Sequence, residues 1–249
     1  MVCLHSNASS SGQWRALMER LAPKFHVLAP DAYGAGRGPA WPADRPVTLR
    51  DEVALIEPVL ALAGDPFALV GHSYGGAVAL IAALAQPHRV RALALYEPTL
   101  FALLEAESPS PNEADGIRNA VAAAGAALDA GDTDRAAECF IDFWMGKGAW
   151  ARTPEARKGP IAASVANVRG WKSVLFGEPT PLEAFAVLDV PVLYMTGKDS
   201  PASSLGVARL LTKTLPQVEV VEFEGLGHMG PVTHPEVVNV ALAEFLKRV

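Results

Sequence analysis

The sequence predicts an α/β fold: a mostly parallel sheet of about six strands flanked by helices, with a helical unit inserted in the middle of the chain. Three observations carry this. Short aliphatic and β-branched runs alternate with longer Ala/Leu-rich stretches of helical period. One apolar run passes through Gly-x-Ser-x-Gly directly into an Ala-rich stretch. From about Leu100 to Asp189 the strand rhythm stops while helical runs continue. At 249 residues the chain has the length of one large domain of this kind.

In chain order, the strand candidates are Val2–Leu4, Phe25–Ala29, Phe67–Val70, Val90–Tyr96, Val192–Thr196 and Val218–Phe223. They read as apolar runs, as strands buried on both faces should. The stretch 11–23 has apolar residues at helical spacing, a Ser at its start and Pro23 at its end, and so reads as a crossover helix. Similar helices are expected from Leu49 to Leu62, from Tyr74 to Gln86, from Ser203 to Leu215 and from Pro235 onward. The interrupted region carries helical runs at 116–130, 134–144 and 156–171. Pro109 and Pro111 mark its entrance, and Pro179 and Pro181 lie near its exit. The division expected is therefore a core made of 1–99 and 190–249 and a helical insertion at 100–189.

Composition narrows the function classes. The net charge of -6 is spread without basic blocks, so a nucleic-acid partner is not expected. Cys3 and Cys139 match no metal-ligand spacing and no disulfide framework, and are expected as reduced thiols. The histidines show no ligand spacing either, so no metal and no cofactor are expected. No stretch reaches the ~20 apolar residues of a membrane span, and the start lacks the pattern of a signal peptide. A cytoplasmic protein that does not enter the membrane is the expectation.

The most specific signal is Phe67-Ala-Leu-Val-Gly71-His-Ser73-Tyr-Gly75-Gly76. A serine on so sharp a strand-to-helix turn projects its hydroxyl above the sheet, and the turn brings flanking side chains into collision unless they are glycines. The following helix directs amides and the positive end of its dipole towards Ser73, which makes Tyr74 N–H an oxyanion donor. His72, before the serine, is expected to pack or hydrogen-bond beneath the turn. Near the C-terminus, Gly225-Leu-Gly227-His228 follows an apolar run, and His228 is the candidate for the neutral imidazole that such a serine needs. His234, followed by Pro235, is expected to cap the last helix.

These motifs resemble the α/β-hydrolase superfamily, with Gly-His-Ser73-Tyr-Gly as nucleophile elbow and Gly-Leu-Gly-His228 as histidine loop. Leu4-His5-Ser6-Asn7 resembles the family's oxyanion segment, which implies Asn7 N–H as the second donor. Ser6 stands where the family usually has Gly, a departure that could shift the donor to Ala8. Residues 31–38 resemble its Gly-rich loop after the next strand, with a shaping role. Since the oxyanion segment begins at residue 5, the two strands that precede it in the family have no counterpart. The resemblance then implies either a six-stranded sheet or a chain beginning downstream of its natural start. An open sheet edge would invite a homodimer, which light scattering would test.

The resemblance leaves two candidates for the carboxylate that orients His228. Asp199 follows the run Val192–Gly197, the family's usual acid loop, although the usual Gly-x-x-Asp register lands on Ser200. Glu97 follows Val90–Tyr96, a position that some members use instead. The insertion resembles the family's cap, which implies an apolar lining from Phe101, Phe143, Trp144, Trp150, Trp171 and Phe176. The implied partner is a small or medium uncharged ester, cleaved through an acyl-Ser73 intermediate. A C–C bond hydrolase, a cofactor-free perhydrolase or haloperoxidase-like enzyme, and a non-catalytic small-molecule binding protein are the alternatives.

Overall fold

A computed structural model describes residues 1–249. Five strands, β1 (Val2–Leu4), β2 (Phe67–His72), β3 (Val90–Tyr96), β4 (Val192–Gly197) and β5 (Val218–Phe223), form one parallel sheet in the order β1-β2-β3-β4-β5. Side chains alternate across it. Leu69, Leu93, Leu95 and Tyr194 face one core, whereas Ala68, Val70, Ala94, Leu193 and Met195 face the other, as a period of two dictates.

The second core is closed by α1 (Arg15–Leu21) and, at the far end of the chain, α12 (Pro235–Leu246), through Leu17, Leu21, Leu242 and Phe245. The first core is closed by α2 (Leu49–Leu62), α3 (Tyr74–Ala85) and α10 (Ala202–Thr214). α2 begins with a reciprocal cap in which Thr48 and Asp51 satisfy each other's backbone amides. α3 is apolar all round because it lies between the sheet and its neighbours, with ten of its residues buried.

Between β3 and β4 the chain forms α4 (Ala102–Glu107), α5 (Asp115–Asp129), α6 (Thr133–Met145), α7 (Ala149–Arg152), α8 (Glu155–Val165) and α9 (Val168–Phe176), and no strand. Their apolar faces join the first core, which continues unbroken from sheet to insertion. A short α11 (Gly230–Thr233) precedes α12. No helix is long and apolar enough to cross a membrane.

Two expectations are corrected. Phe25–Ala29 is not a sixth strand: it makes one bridge, Val2 to Leu28, held by Cys3 N–H to Leu28 O at 2.8 Å and Leu28 N–H to Met1 O at 3.0 Å. It has a sheet neighbour on one side alone, and that neighbour has only three strand residues, so the ladder ends almost where it starts. The single helix expected over 156–171 is two, because Asn167 turns its side chain back to the Ser164 carbonyl at 3.2 Å and interrupts the ladder.

Candidate active site

In a parallel sheet every strand ends on the same edge, so loops far apart in sequence meet there. Ser73 follows β2, Glu97 follows β3, Ser200 follows β4 and His228 follows β5. All four are buried. Ser73 has φ 56 and ψ -118, a conformation that costs an ordinary side chain about 1–3 kcal/mol. The turn closes because Gly71 and Gly75 have no side chains: a Cβ at Gly75 would stand 2.2 Å from the Leu4 carbonyl oxygen, and one at Gly71 would stand 2.5 Å from the Gly75 oxygen. Only Ala8, Ser73 and Glu97 combine positive φ with a side chain. They lie on the loops after β1, β2 and β3.

Ser73 Oγ–H donates to His228 Nε2 at 2.9 Å, and His228 Nδ1–H donates to Glu97 Oε2 at 2.7 Å. Ser204 Oγ lies 3.1 Å from the same Nδ1. The other oxygen of Glu97 accepts from Thr196 Oγ1 at 2.8 Å, Gly197 N at 2.8 Å and Ser200 Oγ at 2.6 Å. Burial opposes the charge of Glu97, but the His228 hydrogen bond and charge, with Ser200 and the Gly197 amide, hold its carboxyl below the ordinary value. Asp199 is exposed, its amide bonds Leu226 O at 3.0 Å, and its side chain makes no hydrogen bond to His228. Of the two carboxylates, the structure brings Glu97 to the histidine and not Asp199.

His72 lies beneath the elbow, as expected, with Nε2–H donating to the His228 carbonyl at 2.8 Å and Nδ1 accepting from Gln13 Nε2 at 3.0 Å. Burial, and then the proximity of His228, push its pKa down to about 3, so it is neutral and the two ring nitrogens can hold these opposite roles. Gln13 Oε1 in turn accepts from the Ser6 amide at 3.2 Å and the Ser6 hydroxyl at 3.1 Å. The histidine loop and the loop after β1 are thus tied through one hydrogen-bonded path, buried at His72 and half-buried at Gln13. Gln13 carried no motif in the sequence; its position is set by the turn before α1.

Tyr74 opens α3, where its N–H has no intrahelical acceptor. Its phenol points to the other side and donates to Glu52 Oε1 at 2.9 Å. Asn7 lines the cavity beside Ser73, together with Ser6, Ala8 and Ser9. Residues 31–38 do not reach the cavity; Asp31 instead accepts from the Ser11 and Arg37 amides and so braces the neighbouring loops. His234 occupies the N-cap position of α12, but its ring bonds Thr233 Oγ1 at 2.9 Å and makes no cap contact.

The cavity above Ser73 has a volume of about 410 Å³. Phe101, Trp144, Trp171 and Phe176 line it, whereas Phe143 and Trp150 do not. Phe143 stands behind Trp144, edge-on at 4.7 Å between ring centroids, and Trp150 turns its indole N–H to Asp134 at 2.9 Å. α6 turns one helical face to the cavity, which admits Phe140 and Trp144 and excludes Phe143. The Trp144 ring lies 4.0 Å from that of His228 at an interplanar angle of 28°, so the insertion touches the histidine directly.

An elbow serine hydrogen-bonded to a histidine above a parallel sheet defines the class, and the chain belongs to the alpha/beta hydrolase fold family, whose model matches residues 1–235. It is 26% identical over 253 residues to a pimeloyl-[acyl-carrier protein] methyl ester esterase of Yersinia enterocolitica, a match covering 100% of this chain and 93% of the relative. Lipase LipV of Mycobacterium tuberculosis is 38% identical over 101 residues, 40% of this chain and 37% of the lipase. An alpha/beta hydrolase from Sphaerobacter thermophilus superposes with a TM-score of 0.74 at 25% identity, covering 98% of this chain and 91% of that one. The matched relatives are esterases, lipases and other hydrolases of this fold.

Proposed function

We propose that this protein is a serine hydrolase that cleaves carboxylic esters of small or medium size through an acyl-Ser73 intermediate. The unbroken hydrogen-bond line from Ser73 through His228 to Glu97 carries the reading. A serine hydroxyl at its ordinary pKa is a weak nucleophile. His228 Nε2 takes its proton as Oγ bonds to the ester carbonyl carbon, and Glu97 holds the imidazole in the required tautomer and offsets its positive charge. The Tyr74 and Asn7 amides supply hydrogen bonds to the oxyanion. His228 then delivers the proton to the departing alkoxide, and water repeats the sequence to release the acid and free Ser73.

The insertion serves as a cap whose apolar wall, including Phe101, Trp144, Trp171 and Phe176, receives the organic part of the substrate. Esterase and lipase relatives support ester hydrolysis over perhydrolysis or simple binding, with C–C bond hydrolysis as the alternative reading. Free Cys3 and Cys139 fit a reducing compartment such as the cytoplasm. The test is labelling with a fluorophosphonate, followed by peptide mass spectrometry. Modification of Ser73, absent from Ser73→Ala, is expected; a folded wild type that does not label would overturn the proposal.

A further inference from the structure

The cavity is lined by 27 residues, none of them Asp or Glu, in a chain of net charge -6. Its charged lining residues, apart from His228, are Arg152, Arg157 and Lys172. They come from three consecutive helices: the end of α7, the first turn of α8 and the middle of α9. All three are exposed, and so lie at the cavity mouth and not beside the buried Ser73.

Cations on a helical surface ordinarily find carboxylates, and in this insertion most do. Arg118, Arg135, Lys158 and Arg169 each form an ion pair. Arg152 makes only a 3.5 Å contact to the Lys147 carbonyl, at the outer limit of a hydrogen bond. Arg157 and Lys172 form neither an ion pair nor a side-chain hydrogen bond. Of the cations in the insertion, Lys147 alone is also without a carboxylate, and it is absent from the lining. The uncommitted positive charge of the insertion is therefore collected where a ligand enters. The same lining carries apolar side chains, among them Phe140, Met145, Ile161 and Trp171.

We infer that the substrate is an ester carrying an anionic group, carboxylate or phosphate, at the end remote from the scissile bond, held between Arg152, Arg157 and Lys172. This rests on the ester-hydrolase reading above. An apolar chain suits the hydrophobic side chains of the same lining. A contact far from the reacting atoms is made equally in ground and transition states, so it lowers KM and leaves kcat largely unchanged. Being exposed, it weakens as salt screens it.

The experiment compares kcat/KM for monomethyl esters of straight-chain diacids, from succinate to sebacate, with their dimethyl diesters. A parallel arm uses methyl esters of ω-phosphooxy acids. At low salt the anionic esters are expected to be favoured about tenfold, chiefly through KM, from three exposed contacts of modest strength each. The ratio should shrink in high salt and approach one in the Arg152→Gln/Arg157→Gln/Lys172→Gln variant, whose folding is checked by its melting curve. The better of the two anionic arms identifies the terminus. The same esters are also used to slow fluorophosphonate labelling of Ser73, which reads binding when turnover is slow. Labelled Ser73 with equal turnover of, or equal protection by, anionic and neutral esters overturns this inference alone. Absence of both labelling and turnover overturns the hydrolase reading beneath it.

Discussion

Ser200 Oγ lies 2.6 Å from Glu97 Oε1 and donates to it. Ser200 occupies the register in which the family's usual acid would stand, yet here the end of β4 and the loop after it supply hydrogen-bond donors to a carboxylate delivered from β3. Thr196, Gly197 and Ser200 fix one oxygen of Glu97 and leave the other for His228. A buried carboxylate needs such donors, since an unpaired one would neutralise itself.

Glu97→Gln is expected to lower kcat by about three to four orders of magnitude with the fold retained, because the amide can support the wrong imidazole tautomer. Asp199→Asn should leave kcat within about twofold, since its exposed side chain makes no hydrogen bond to His228. Steady-state kinetics on any ester found to turn over would compare the two. Equal effects would remove Glu97 from its assigned role.

The hydrogen-bonded path His72–Gln13–Ser6 positions the His228 backbone. His72→Phe keeps a ring of similar size but deletes both hydrogen bonds and leaves the His228 carbonyl without that donor, a loss of about 1–3 kcal/mol where the group stays buried. Turnover should fall about tenfold in kcat with KM little changed, and His72→Gln, which can donate again, should recover part of it. A change in stability with kcat untouched would reduce His72 to a packing residue.

Glu52 is buried between Tyr74 and Tyr33, and burial raises its pKa to about 7 despite the hydrogen bond from Tyr74. Its folded pKa lies above the unfolded value, so its contribution is fully present below pH ~4.5 and is lost as pH rises through ~7. Glu52→Gln keeps an acceptor for Tyr74 and should raise stability at pH 8 by up to about 3 kcal/mol, with the gain fading towards pH 5. Denaturant unfolding of both proteins at the two pH values measures it. His72 contributes with the opposite slope: with its folded pKa depressed, the stability it gives is present above ~6.5 and lost as pH falls towards ~3.

Ser73 sits at φ 56 with a side chain that such backbone rarely tolerates. Ser73→Gly and Ser73→Ala both delete the hydroxyl, but only glycine relieves the strain. The glycine variant should therefore be more stable than the alanine variant by about 1 kcal/mol, although glycine at an unstrained position normally destabilises. Paired thermal melts give the answer. The reverse order would mean that the turn is not strained.

What the sequence by itself determined is the part written in local pattern. Apolar runs placed β2, β3 and β4, and helical spacing or Ala-rich composition over longer runs placed α2 and α3. The glycines around Ser73 were legible because a tight turn admits little else, and their spacing is contiguous. The fate of Phe25–Ala29 was not legible, since apolar content signals burial but not how many neighbours a strand will have. Nor was the carboxylate beside His228: Glu97 and Asp199 both follow strands, and what separates them is where three donors at and just after the end of β4 converge. The split of the aromatic residues between cavity and packing, the His72–Gln13–Ser6 path and the three cations at the cavity mouth belong to the tertiary structure for the same reason. Most of these are agreements in position between segments tens to more than a hundred residues apart, such as Gln13 with His72 and His72 with His228, and only the folded sheet and its helices bring those segments into contact.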